Sequence, residues 1–242
     1  MFLKQNNKRY NICISAIPEF SDGDISYCFA TCSSGINNAA PGGSNDGDIT
    51  LSWTSTVWTS GNGQNEFACN EEQGGLYSEH FVRHGQWLKL PKNIQTSGPK
   101  TAAILLKHSA DYEHGKRTPR EFKQPGSFIL NSEPWPKARA EVGNGACRLL
   151  IESDVFSQTE FVLVVIVADG TTLSMYKNGV KLGDTPCTVV PGQGSEGDKT
   201  PLYLGENHFG GTIKSFALWN RALSAQDVAA IDSSNLTCIG TK

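Results

Sequence analysis

The chain has 242 residues, of which 25 are glycine, and its formal net charge at pH 7 is −3. This length allows one large β domain or two smaller ones, and abundant glycine with almost no helical periodicity favours an all-β protein rich in turns. Because the chain has no basic excess, its composition argues against a general binder of nucleic acid or of anionic membranes.

The sequence predicts neither a membrane-spanning segment nor a convincing signal peptide. No apolar stretch is long enough to span a bilayer, so we predict no transmembrane segment. The apolar segment 12–17 follows three basic residues, but it is too short and too interrupted for a convincing signal peptide.

The first 80 residues combine short strand signals with polar, glycine-rich loops. Residues 10–17 predict a first strand, and Asp-Gly-Asp-Ile occurs twice, at 22–25 and 46–49, each time introducing a further strand. Asp-Gly is a turn signal, so we interpret both repeats as hairpin entries. The alternative is a calcium loop, because closely spaced carboxylates suit a hard cation. Its ligands would be Asp22, Asp24, Asp46 and Asp48. The sequence lacks the further ligands and the closing Glu of the known calcium loop. We therefore predict no cofactor, with Ca²⁺ as the alternative.

The middle of the chain predicts four strands, at 86–90, 101–107, 127–130 and 146–152, with 101–107 in the centre of a sheet. Residues 109–126 are charged and contain prolines, which predicts a long loop. A local basic patch spans this region, and we interpret it as a solvated loop rather than an anion site. It comprises Lys107, His108, His114, Lys116, Arg117 and Arg120.

The segment 161–220 has the clearest pattern in the chain. Residues 161–167 (FVLVVIV) form an unbroken apolar run that predicts a strand buried on both faces. Residues 171–177 alternate, with Leu173 and Met175 on one face, which predicts a half-buried strand. The pair Asn178-Gly179 tolerates positive φ at both positions and therefore predicts a type I′ hairpin. Two more strands follow at 201–205 and 211–220.

One short helix is predicted at the end of the chain. Ser224 can cap it, with Asp227 at the third helical position and Leu223 packing against Val228. We expect the helix to reach about Ile231 and to lie across one edge of the β structure.

Seven cysteines leave at least one unpaired. Their spacing completes no zinc site, and we favour structural or free thiols, with one or two disulfides as the alternative. The redox compartment stays open.

Three segments together resemble a known family: 169–180 (DGTTLSMYKNGV), 202–205 (LYLG) and 211–228 (GTIKSFALWNRALSAQDV). They are similar to the C-terminal half of a laminin-G-like domain, one of the concanavalin A-like lectin/glucanase jelly rolls. Residues 85–91 (GQWLKLP) resemble an early strand of such domains, so the resemblance covers about residues 85–231. Residues 1 to about 80 show no such resemblance.

The resemblance implies an all-β fold, a two-sheet antiparallel jelly-roll sandwich with one short C-terminal helix. It also implies that the N-terminal strand pairs beside the C-terminal one. We treat residues 1–242 as a single domain whose first 80 residues or so are an elaborated, loop-rich part.

Some relatives implied by this resemblance cleave polysaccharides, so catalysis is one hypothesis. Retaining glycosidases need two carboxyl groups about 5 Å apart. The Glu-x-Asp-x-x-Glu-like run of the glucanase branch is absent, and Glu71 and Glu72 would face opposite ways on a strand. The Arg, Gln-x-His and Tyr motifs of the alginate-lyase branch are also absent. We therefore predict that the chain is not an enzyme.

The resemblance also implies binding, because lectins stack aromatic rings on sugars and fix the hydroxyls with polar side chains. Trp58, Trp87 and Trp135 are the candidate rings, with ordinary packing as the alternative for each. Asn207 and His208 lie in a loop where His208 could donate to a sugar hydroxyl, although a turn role is the simpler interpretation. We assign Trp53 and Trp219 to the core.

We therefore predict non-catalytic binding of a glycan or a protein surface. The alternative is a structural or interaction subunit of a larger assembly that binds no sugar. The fold slightly favours an extracellular, cell-surface or virion-surface location.

Overall fold

The computed structural model describes residues 24–29, 67–70, 75–78, 88–90, 94–109, 119–133, 135–189, 199–200, 202–206 and 209–231. These residues form two antiparallel sheets and one short helix, as the sequence predicted. Within them no helix is long and apolar enough to cross a membrane.

The larger sheet has eight strands: β1 (Ile25–Cys28), β2 (Phe67–Asn70), β3 (Gly75–Ser78), β6 (Lys100–His108), β11 (Val162–Ala168), β12 (Thr172–Lys177), β13 (Val180–Pro186) and β16 (Gly211–Trp219). The smaller sheet has six: β4 (Leu88–Lys89), β7 (Arg120–Gln124), β8 (Phe128–Asn131), β9 (Ala138–Val142), β10 (Cys147–Ile151) and β15 (Tyr203–Glu206). A separate pair joins β5 (Ile94–Gln95) to β14 (Lys199–Thr200).

The strand order of the large sheet is β13-β12-β11-β6-β16-β3-β2, and β1 also pairs with β16. Because β6 occupies one edge of β16, β1 and β3 share the other edge end to end. The small sheet runs β10-β9-β8-β7-β15-β4. β1 thus pairs beside the C-terminal strand β16, whereas the predicted first strand at 10–17 lies outside the described residues.

The strand predictions in the C-terminal half are confirmed. All of β11 is buried, and β6 lies centrally between β11 and β16. Asn178 and Gly179 have φ of 49° and 79°, and they connect β12 to β13 as predicted. In contrast, β12 is buried on both faces because Tyr176 packs into a second apolar layer.

The core has two layers. The main layer fills the space between the sheets, where the Phe122 and Phe216 rings meet with centroids 5.4 Å apart. The second layer covers the outer face of the large sheet and contains Trp219, a predicted core residue, and Val228. The helix α1 (Ala225–Ala230) lies over this face, so its expected position across a sheet edge was wrong. The predicted cap is confirmed, since Ser224 and Asp227 form a reciprocal capping box.

The predicted loop at 109–126 is wrong in its last part, because residues 120–124 form β7. Phe122 is the one large apolar side chain in β7. With Arg120 and Lys123 beside it, the segment shows no clear alternation of apolar and polar residues that would predict a strand. The strand β9 was also missed, since it contributes the small side chains of Ala138 and Ala140 to the core.

A disulfide joins Cys147 on β10 to Cys187, just after β13. Because β10 and β13 are edge strands of different sheets, it closes one side of the sandwich. The expectation of free thiols was therefore wrong for these two residues. Cys13, Cys32 and Cys238 lie outside the described residues.

Candidate functional site

The outer face of the small sheet carries a dense array of charged side chains. We call it the charged face, and it comprises Arg120, Lys123, Ile129, Arg139, Glu141, Arg148, Leu150, Tyr203 and Glu206. These residues alternate along their strands with core residues such as Phe122, Leu130 and Ala140, so they point away from the core. The strand register places them in rows, for example Tyr203, Lys123, Ile129, Glu141 and Arg148.

Two strands, β9 and β10, and the β8–β9 connection build one half of the charged face. Glu141 Oε1 lies 2.7 Å from Arg139 Nε and 3.7 Å from Arg148 Nε. The second terminal nitrogen of Arg139 lies 2.7 Å from Glu133 Oε2 in the β8–β9 connection. Arg139 is therefore held between two carboxylates, and Leu150 lies directly opposite it in the register with 43% of its surface exposed.

Glu206 organises the other half. Its Oε2 accepts a hydrogen bond of 3.0 Å from Arg120, and its Oε1 lies 3.5 Å from Lys123 Nζ. Ion pairs this exposed add only about 0–1 kcal/mol each to stability. Their main consequence here is that they fix donors and acceptors in place between apolar side chains.

A second cluster lies inside one end of the sandwich, where His108 ends β6 and Glu121 is the extra residue at an irregularity in β7. His108 Nε2 and Glu121 Oε1 are 3.3 Å apart, and both side chains are 0% exposed. Burial raises the pKa of the Glu121 carboxyl, and His108 and Ser132 oppose that rise. Because the pair is sealed from solvent, an external substrate does not reach it in this conformation.

Trp135 is the one candidate ligand ring within the described residues. It is half-buried, its ring stacks on Phe156 with centroids 6.1 Å apart, and it contacts His108 at 4.5 Å. The Trp135–Pro136 peptide bond is cis. Trp135 lies two residues after Glu133, which pairs with Arg139, and its ring packs against the main core layer.

Asp24 is the one candidate calcium ligand that the structure describes. It is buried, and its carboxylate accepts hydrogen bonds from the Asn220 backbone N–H at 2.7 Å and from Arg221 at 3.2 Å. In the described part of the chain, no group of three or more His, Cys, Asp or Glu side chains could hold a metal ion. The other candidates lie outside that part: Trp58, Trp87, Asn207, His208, Asp22, Asp46 and Asp48.

The three described members of the basic patch do not form one surface, and His114, Lys116 and Arg117 lie outside the described residues. Lys107 lies on the outer face of the large sheet, His108 points into the core, and Arg120 lies on the small sheet beside Glu206. The charged face was missed, although residues 138–142 (ARAEV) show the two-residue alternation that could have indicated part of it.

A family model described as the concanavalin A-like lectin/glucanases superfamily matches residues 85–229. A search of curated proteins finds no match.

Among solved structures, the binding domain of Paraclostridial Mosquitocidal Protein 1 is 12% identical, with a TM-score of 0.58, over 85% of this chain and 50% of that chain. Trypanosoma rangeli sialidase in complex with sialic acid is 14% identical, with a TM-score of 0.56, over 88% of this chain and 33% of that chain. A mutant of HCR D/C VPI 5995 is 8% identical, with a TM-score of 0.62, over 88% of this chain and 52% of that chain. The chain thus spans about half or less of these proteins, and the likeness concerns the fold alone.

Proposed function

Because the chain belongs to the concanavalin A-like lectin/glucanase superfamily, we propose that it is a non-catalytic carbohydrate-binding module. We assign its binding surface to the charged face. The mosquitocidal neighbour is itself a binding domain, which agrees with a role in attachment to a surface.

The observation that carries this proposal is the arrangement of Arg139, Glu141 and Arg148 beside the exposed Leu150. A sugar ring presents hydroxyl groups at its rim and C–H groups on its faces, so it needs fixed polar groups next to an apolar contact. Arg139 is already held by Glu133 and Glu141, so little side-chain entropy is lost when a ligand binds to it. In our proposal the half-buried Trp135, two residues after Glu133 in the chain, contributes the aromatic contact.

The acid–base geometry supports binding over catalysis. A glycosidase needs a carboxylic acid with a raised pKa that reaches the glycosidic oxygen. Burial raises the pKa of Glu121, but its side chain is 0% exposed. On the charged face, Glu141 and Glu206 each contact two basic side chains.

The test is a glycan array probed with the full chain, in calcium and again with a chelator. For any glycan that binds, Arg139→Ala and Glu141→Gln should each weaken affinity by tenfold or more, and Lys181→Ala on strand β13 of the large sheet is the matched control. Unchanged binding in both charged-face variants would place the ligand elsewhere. Binding lost on chelation would point to the Asp-Gly-Asp loops and a calcium lectin. No binding in either condition would reject the lectin and leave the alternative, a structural or interaction subunit.

A further inference from the structure

We propose that Lys107 and Lys214 form an anion-binding subsite on the outer face of the large sheet, and that its ligand is a tetrahedral oxyanion such as a sulfate ester. The subsite lies on the opposite sheet from the charged face and does not depend on it. Lys107 is on β6, and Lys214 is the extra residue at an irregularity in the adjacent strand β16.

Both lysines converge on one aromatic ring. The ammonium nitrogens of Lys107 and Lys214 lie 5.1 Å and 4.0 Å from the centroid of the Phe161 ring. The two positive charges are therefore within about 10 Å of each other, the Debye length at 0.1 M salt, and they repel. Attraction to the ring faces holds the ammonium groups in place but does not neutralise their charge.

The electrostatic environment sets these two lysines apart. Among the described residues, the other basic side chains of known position each have an acceptor. Arg120 and Lys123 contact Glu206, Arg139 and Arg148 contact Glu141, Lys137 contacts Glu152, Lys181 contacts Asp184, Arg221 contacts Asp24, Lys100 contacts Asn220, and Lys177 contacts the Asp154 carbonyl. Lys107 and Lys214 form no ion pair within that part of the chain, and they are adjacent. An oxyanion near both ammonium groups would supply a negative charge that no described side chain supplies.

The surrounding groups agree with a small, polar ligand. Lys107 and Lys214 are both partly exposed, so a ligand from solvent can reach them. Glu160 is exposed and directly precedes Phe161 in the chain, but it forms no ion pair with either lysine. Two ammonium groups on flexible stems act as point charges, which suits a compact tetrahedral oxyanion better than a planar carboxylate.

The test is calorimetric titration of the full chain at low ionic strength. The probes are inorganic sulfate, inorganic phosphate, and a sugar sulfate ester compared with the same unsulfated sugar. We expect saturable binding of inorganic sulfate and of the sulfated sugar but not of its unsulfated form. Lys107→Gln and Lys214→Gln should each weaken sulfate binding at least fivefold, and the double variant should not bind sulfate. Lys107→Arg keeps the positive charge and should therefore bind sulfate more tightly than Lys107→Gln.

Lys181→Gln is the control for loss of one positive charge, and its affinity should stay within twofold of the wild type. Circular dichroism melting of each variant separates lost binding from lost folding. Equal affinity in the double variant and the wild type, or equal losses in Lys181→Gln, would overturn the subsite. Preference for phosphate over sulfate would retain the oxyanion site but reject a sulfate ester as its ligand. These outcomes are independent of the glycan array, because Arg139 and Glu141 are unchanged.

Discussion

His108 Nε2 lies 3.3 Å from Glu121 Oε1, and this fully buried pair joins the end of β6 in the large sheet to β7 in the small one. The rings of Trp135, Phe156 and Phe209 surround His108, with centroids 4.5 to 5.2 Å from its own. A polar pair in such an apolar cluster makes stability sensitive to protonation, because burial disfavours the charged form of a carboxyl group.

The first prediction concerns Glu121. As pH rises above the ordinary glutamate pKa, the unfolded chain loses this proton while the folded protein keeps it, because burial raises the folded pKa. The contribution of Glu121 to the free energy of unfolding should therefore fall as pH rises through its folded pKa. Glu121→Gln mimics the protonated form and should gain stability relative to wild type across this range. Urea denaturation from pH 4 to pH 8 measures the difference, and parallel curves for the two proteins would contradict the prediction.

The second prediction concerns Lys100, which is buried and donates a hydrogen bond of 2.8 Å to Asn220 Oδ1. Burial lowers the pKa of Lys100 to about 8, and Asp24 partly opposes this. Between that value and the ordinary lysine pKa, the folded protein has lost the proton that the unfolded chain retains. Stability should therefore rise with pH over this interval, by up to about 3 kcal/mol.

Lys100→Met should remove this rise, whereas Lys177→Met, at the end of β12, controls for loss of a charge. Guanidinium denaturation at pH 8 and pH 10 provides the comparison. If Lys100→Met keeps the same pH slope as the control, the folded pKa of Lys100 is not lowered.

The parts of the fold that the sequence revealed are those with strong local signals. The strand β11 is a run of β-branched residues, and the hairpin after β12 needs positive φ at Asn178 and Gly179. Each signal lies within a few residues, so it can be recognised without knowing the rest of the structure. The capping box of α1 is equally local.

The features that the sequence did not predict depend on contacts between residues that are far apart in the chain. Two-residue alternation shows that Arg139 and Glu141 share a face, but it does not show that Arg148 lies across from Glu141. Spacing in the sequence likewise did not show that Cys147 and Cys187 come together. Glu121 lies in a charged segment that is typical of an exposed loop. It was missed as a buried residue because an irregularity in the strand register directs its side chain into the core.

The third prediction concerns the disulfide, whose cysteines are 40 residues apart in sequence. A crosslink closing a loop of this size reduces the entropy of the unfolded chain, and its removal should cost about 2–4 kcal/mol. Cys147→Ser with Cys187→Ser should therefore lower the melting temperature, and reduction of the wild type should lower it by a similar amount. Reductant should leave the melting temperature of the double variant unchanged. A double variant as stable as the oxidised wild type would show that the crosslink contributes nothing to stability.

The last prediction concerns Gly211, at the start of β16 near Lys107. Its φ is 151°, and a Cβ placed on it would lie 2.2 Å from the Lys107 carbonyl oxygen and 2.8 Å from the His108 Cα. These are backbone atoms of the central strand β6 and cannot move aside without breaking the pairing of β16 with β6. Gly211→Ala should therefore destabilise the protein by on the order of 3 kcal/mol.

Gly170→Ala is the matched control, because Gly170 also has positive φ, at 91°, but no atom lies within 4 Å of its Cβ position. Thermal melts should show a clearly larger loss for Gly211→Ala, since both variants share backbone strain and only one adds a steric clash. Equal losses would mean that strain alone explains the effect and that the close approach of β16 to β6 is not rigid.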